Sequence, residues 1–136
     1  MSQVSKRIEA ALTAIVGADR VRTDRVERKL YSSDIGALPR LVKPLMPTGV
    51  AGAVVRPRHE RDIVELVELA AREGIKVVPR GMSTSGYGGV LPTPGALVID
   101  VSALNRIIEV DPVGMTARVE GGVLWERLQK HVNALG

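Results

Sequence analysis

Apolar residues recur along this chain in blocks of changing period, and the blocks predict its elements. Over residues 5–16, Ile8, Leu12, Ile15 and Val16 fall at helical spacing, with Ser5 placed to cap and Gly17 to stop the helix. A short second helix is predicted over 23–31, starting at Thr23. Residues 32–52 hold Gly36, Pro39, Pro44, Pro47, Gly49 and Gly52, which excludes any long regular element there. Ala53-Val54-Val55 reads as a strand stopped by Pro57. In 60–73, Ile63, Leu66, Val67 and Ala70 form one stripe opposite Glu65, Glu68, Arg72 and Glu73, an amphipathic helix with Gly74 at its C-terminal end.

Strands are predicted at 76–79 and 95–100. The second of these (Gly95-Ala96-Leu97-Val98-Ile99-Asp100) is continuously apolar, as a strand covered on both faces is. Residues 106–110 and 116–120 alternate with period two around Asp111-Pro112-Val113-Gly114-Met115 and read as a β-hairpin. A last helix is predicted over about 123–134. The strand–helix–strand unit at 53–79 implies a parallel crossover. The fold class is therefore α+β: a small parallel sheet with flanking helices, followed by an antiparallel hairpin. Residues 1–52 are read as an N-terminal helical and irregular segment, distinct from 53–136.

Composition narrows the chemistry. The chain has 136 residues, no Cys, no Phe, one Trp, two Tyr and two His, so the core is aliphatic. Disulfides, thiolate metal sites and a Cys nucleophile are excluded, and no metal site is expected. Residues 1–61 carry twelve Lys and Arg against six Asp and Glu, and residues 62–136 carry seven against nine. The basic half alternates with acids (Arg22, Asp24, Arg25, Glu27, Arg28, Lys29) and lacks stacking aromatics. It reads as a solvated helix face, and no nucleic-acid partner is expected. No apolar run approaches the roughly 18 residues of a membrane span, and the N-terminus lacks an apolar signal core, so a cytoplasmic location is expected.

The strongest local signal is Pro79-Arg80-Gly81-Met82-Ser83-Thr84-Ser85-Gly86-Tyr87-Gly88-Gly89, directly after a strand. Small residues let the backbone curl so that successive N–H groups point into one concavity, which suits phosphate oxygens. Ser83, Thr84 and Ser85 add hydroxyls and Arg80 adds positive charge. On these residues alone, a diphosphate nest and a plain glycine-rich turn both stand. A P-loop needs Gly-Lys-Ser/Thr, which is absent; a dinucleotide fingerprint begun at Gly86 meets Leu91; the nucleophile elbow begun at Gly81 fails at Ser85; and His59-Glu60 lacks a second His at residue 63. His59 reads as a helix-start residue and His131 as exposed on the last helix.

The ordered blocks Val54-Val55-Arg56-Pro57, Asp62–Val67, Ile75–Gly81 and Thr84-Ser85 go with Leu97–Ser102, Asn105–Asp111, Ala117–Val123 and, upstream, Tyr31-Ser32-Ser33-Asp34. Together they resemble the FAD-linked oxidases of the vanillyl-alcohol oxidase/p-cresol methylhydroxylase type, nearest the D-lactate dehydrogenase and glycolate oxidase flavin-subunit branch. The resemblance runs from about residue 25 to the end.

It implies that Arg80, Gly81, Met82, Ser83, Thr84 and Ser85 wrap the FAD diphosphate, with Gly88, Gly89, Gly121 and Gly122 near the cofactor. It implies an oxidoreductase acting on a small 2-hydroxy acid, with residues 53–136 as the N-terminal part of its FAD-binding domain and the hairpin at 106–120 as the first of a second sheet. Three positions depart from the family pattern: Ser83 and Gly121 stand where Gly and Pro are frequent. Thr84 stands where members with covalent flavin carry His, so FAD is expected to be held non-covalently. The family's later flavin-binding stretch, substrate cap and catalytic residues have no counterpart in these blocks. The domain is read as incomplete, no catalytic residue is assigned, and the chain alone is expected to bind FAD weakly or not at all and not to turn over. Asp100 and Glu120 are expected to be structural, and Trp125 a core or docking residue. The rival reading is a non-catalytic assembly or nucleotide-diphosphate module, paired as a homodimer or with a partner subunit.

Overall fold

A computed structural model describes residues 3–36, 48–84 and 86–135. Ser85 and residues 37–47 of the irregular segment therefore lie outside the described residues. The chain runs α1 (Lys6–Val16), a 3₁₀ turn (Ala18–Arg20), β1 (Val21–Arg22), α2 (Arg25–Leu30), β2 (Ala53–Val55) and α3 (Glu60–Arg72). It continues through β3 (Val77–Arg80), β4 (Leu97–Asp100), β5 (Ile107–Asp111), β6 (Thr116–Val119) and α4 (Trp125–Asn133).

Four strands form one sheet in the order β1-β2-β4-β3. β2, β4 and β3 are parallel, with Val54 opposite Val98 and Arg80 opposite Asp100. The crossover through α3 thus joins two parallel strands that have β4 between them. β1 adds an antiparallel edge, Val21 against Val55, which the sequence pattern did not show. β5 and β6 form the expected hairpin, with a bulge between Ile107 and Glu109.

Alternation across the pleat sends side chains to two cores. Ala53, Val55, Leu97 and Ile99 pack with Ile8, Leu12, Val16, Leu66, Leu69 and Ala70 of α1 and α3. Val54 and Val98 face the other way, onto Ala51, Tyr31 and Val78. β4 is buried along its whole length, as its unbroken apolar run requires.

Local chemistry fixes the helix ends. Ser5 Oγ accepts the Ile8 N–H, and Gly17 takes φ +89° beyond α1. Gly74, at φ +63°, follows α3, and Ile75 N–H returns to the Ala70 carbonyl. Two expectations are corrected. α2 is capped by Asp24, whose Oδ1 accepts the Glu27 N–H at 2.9 Å, because the Thr23 hydroxyl is already donating to Glu9 at 2.8 Å. Arg28 is not on a solvated face: it is buried, with Nε donating to the Ala51 carbonyl at 2.6 Å. Among the described residues no helix is long and apolar enough to cross a membrane.

Candidate functional site

The glycine-rich loop leaves the carboxyl end of β3, where its neighbour β4 ends at Asp100. Ser83 stands at φ +57°, a left-handed conformation of the kind that bends a backbone into an anion-binding nest. Among the described residues, nothing accepts the N–H groups of Gly81, Met82, Ser83 or Thr84. The Ser83 Oγ is buried and, among the described residues, has no hydrogen-bond partner. Buried polar atoms in folded proteins are nearly always paired, so this hydroxyl and these amides fit an acceptor-rich ligand.

Such a ligand has room. A cleft of about 490 Å³ is lined by Gly81, Met82, Ser83, Thr84 and Val90 on one side and by the run from Gly121 to Glu126 on the other. Gly122 is packed so closely that an added Cβ would sit 2.3 Å from the Val101 carbonyl oxygen and 2.8 Å from that of Leu104. That contact holds the far wall against the turn after β4. Trp125 is 84% exposed and lies in this wall. It is therefore not a core residue, because α4 buries none of its side chains. A second hollow of about 310 Å³ shares Gly81, Met82 and Ser83 and extends to Tyr31, Arg80, Asp100 and Ser102.

The segment before the undescribed stretch supports the loop. The Tyr31 hydroxyl donates to Asp100 Oδ2 at 2.5 Å and accepts from Arg56 Nη2 at 2.9 Å. Arg56 Nε lies 3.3 Å from Asp100 Oδ2. Burial, then the Asp100 hydrogen bond, push the Tyr31 phenol above its ordinary pKa, so it remains a donor. The guanidinium carbons of Arg56 and Arg80 stand 5.4 and 5.0 Å from the Tyr31 ring centre, within cation–π range. Arg80 Nη1 donates to the carbonyls of Tyr31 (3.0 Å) and Ser33 (2.8 Å). Asp34 Oδ2 accepts the Gly88 N–H at 2.9 Å.

The structure thus brings Gly81, Met82, Ser83 and Thr84 together with Gly121 and Gly122 around one cleft. It sets Arg80 at the base of the loop, tied to carbonyls. Gly88 lies at the other end of the loop and Gly89 points to open space. Asp100 is bonded to Tyr31, Arg56 and the Ser102 N–H, and Glu120 to Arg106. Glu120 accepts from Arg106 Nη2 at 2.7 Å, and that bond holds its carboxyl below the ordinary range. Tyr31, Ser33, Asp34 and Arg56 were not assigned from sequence. Their signals were the Tyr31-Ser32-Ser33-Asp34 block and, for Arg56, the Val54-Val55-Arg56-Pro57 block. Among the described residues no cluster of three His, Cys, Asp or Glu could hold a metal ion.

Comparison with known proteins follows the same ground. The family described as FAD binding domain matches residues 51–136. Glycolate oxidase subunit GlcD of Bacillus subtilis is 29% identical over 133 residues, 98% of this chain and 27% of that protein. The mitochondrial D-lactate dehydrogenase (cytochrome) of Kluyveromyces lactis is 37% identical over 86 residues, 61% of this chain and 15% of that protein. Among solved structures, alkyldihydroxyacetonephosphate synthase superposes with a TM-score of 0.82 at 21% identity, over 99% of this chain and 26% of that one. Substrate-bound p-cresol methylhydroxylase does so with 0.79 at 20% identity, over 96% and 24%. At these identities the structural likeness is one of fold. The chain spans about a quarter of the length of the GlcD protein.

Proposed function

This chain belongs to the FAD binding domain family, and from that premise we propose that its glycine-rich loop holds the diphosphate of a non-covalently bound FAD. The observation that carries the proposal is that, among the described residues, nothing accepts the N–H groups of Gly81, Met82, Ser83 and Thr84 or pairs the Ser83 hydroxyl, while these four residues line the cleft of about 490 Å³. Backbone amides aimed into a concavity supply partial positive charge without a titrating group. The Ser83 and Thr84 hydroxyls add donors, and so does Ser85 in this assignment. Gly88, Gly89, Gly121 and Gly122 leave the backbone free of side chains near the cofactor. Thr84 has no nucleophilic nitrogen, so it supports reversible rather than covalent attachment.

We further propose that the protein to which this region contributes is an FAD-dependent oxidoreductase acting on a small 2-hydroxy acid. The names of its glycolate oxidase and D-lactate dehydrogenase relatives support that reading. A bound flavin supplies the hydride-accepting chemistry. The role of these residues is to bind and orient it. Residues 53–136 are taken as the opening part of the FAD-binding domain. No residue here is proposed to move the substrate's proton: Asp100 is committed to Tyr31, Arg56 and the Ser102 N–H, and Glu120 to Arg106.

Acid precipitation of flavin-loaded protein tests the attachment. FAD released intact to the supernatant supports the proposal; flavin retained on the precipitated polypeptide contradicts it.

A further inference from the structure

We infer that Asp34 is a positioning residue that presets the glycine-rich loop for its anionic ligand from outside the loop. The inference rests on the diphosphate assignment above and goes beyond it, because Asp34 lies some fifty residues earlier in the chain and does not line the cleft.

Three contacts bracket the loop. At its start, Arg80 Nη1 donates to the carbonyls of Tyr31 and Ser33. At its far end, Asp34 Oδ2 accepts the Gly88 N–H at 2.9 Å, while Oδ1 accepts the Gly36 N–H at 3.0 Å. Between them the two backbones touch: a Cβ on Gly36 would lie 2.2 Å from the Gly86 carbonyl oxygen. Asp34 thus grips both segments where they meet, one oxygen on each.

The charge of Asp34 argues for positioning rather than ligation. A carboxylate close to an anion site repels a diphosphate. Its presence there is explained by what its two oxygens do: both are committed to backbone N–H groups. Amides converging without an acceptor do not hold that shape by themselves, and a nest that must be ordered on binding binds more weakly. Asp34 meets that entropic demand before the ligand arrives. If it acted only as a charge, removing it would tighten anion binding; if it acts as a bracket, removing it loosens binding.

The experiment compares Asp34→Ala and Asp34→Asn with the unsubstituted protein in two readouts. The first is hydrogen–deuterium exchange at Gly88 in cofactor-free protein, with residues 97–100 of β4 as the internal reference for global folding. The second is FAD affinity by flavin fluorescence. Asp34→Ala is expected to speed Gly88 exchange at least tenfold with β4 unchanged, and to weaken FAD binding about tenfold despite losing a negative charge. Asp34→Asn, which keeps one acceptor oxygen, is expected between the two. Unchanged Gly88 exchange, or FAD binding in Asp34→Ala as tight as or tighter than in the unsubstituted protein, overturns the inference. If the unsubstituted protein takes up no FAD, the diphosphate assignment falls, and the exchange readout still decides whether Asp34 fixes the loop.

Discussion

The Tyr31 hydroxyl donates to Asp100 Oδ2 at 2.5 Å across 69 positions of sequence, joining the segment after α2 to the end of β4. Asp100 is buried at 4% exposure, so its carboxylate depends on this bond, on Arg56 and on the Ser102 N–H. Tyr31→Phe is expected to destabilise the fold by about 1–3 kcal/mol, the usual result of leaving a buried acceptor short of a donor. Urea unfolding at neutral pH measures it.

The same pair sets a pH dependence. Because burial and Asp100 raise the Tyr31 pKa, the folded state keeps a proton that the unfolded chain loses above about pH 10. The contribution is complete below that pH and is lost as pH rises through the higher folded value. The stability difference between the unsubstituted protein and Tyr31→Phe is expected to change above about pH 10 and to stay level from pH 7 to 9. A difference that changed between pH 7 and 9 would place another group in control.

Ser83→Gly separates stability from binding. A non-glycine residue at φ +57° carries a steric penalty of about 1–2 kcal/mol, and its unpaired hydroxyl adds a desolvation penalty. Glycine's larger unfolded-state entropy offsets roughly 0.5–1 kcal/mol of the relief. The variant is expected to be more stable by about 1 kcal/mol and to bind FAD several-fold more weakly, read by denaturant unfolding and by flavin titration of the same preparation.

Arg80→Lys tests whether Arg80 acts by geometry or by charge. Its guanidinium donates to two carbonyls and stacks on the Tyr31 ring, and a lysine ammonium does not reproduce that planar fork. Flavin retention is expected to fall almost as far in Arg80→Lys as in Arg80→Ala. Full retention in the lysine variant would make Arg80 a charge donor to the phosphates.

Gly122→Ala probes the far wall. Its Cβ would meet the Val101 carbonyl oxygen at 2.3 Å, well inside any van der Waals contact, with backbone on both sides of the clash. A loss of more than about 2 kcal/mol is expected, together with a change in Trp125 fluorescence.

Much of this fold was legible because its signals are local. The stripe Leu66–Ala70, the unbroken Leu97–Asp100 run and the turn residues Gly17 and Gly74 each determine structure within a few positions. β1 escaped because two residues, Val21 and Arg22, show no alternation. Arg28 was misread because its carbonyl partner Ala51 lies 23 residues away, and composition cannot tell a buried guanidinium from a solvated one. In the site, the glycine loop announced itself, while its support did not. Tyr31, Asp34 and Arg56 act on Asp100, Gly88 and one another through contacts that only the folded chain brings together. The positive φ of Ser83 likewise has no signature in the letters Gly-Met-Ser-Thr.

In the proposed site the backbone amides of residues 81–84 bind the diphosphate of FAD. Amide chemical-shift mapping of the ¹⁵N-labelled chain reads those amides directly, and it registers weak binding. Gly81, Met82, Ser83 and Thr84 are expected to shift saturably with FAD and with ADP, which share the diphosphate, and to stay in place with riboflavin, which lacks it. Shifts of equal size with riboflavin, or FAD-induced shifts that bypass residues 81–84, would contradict the account.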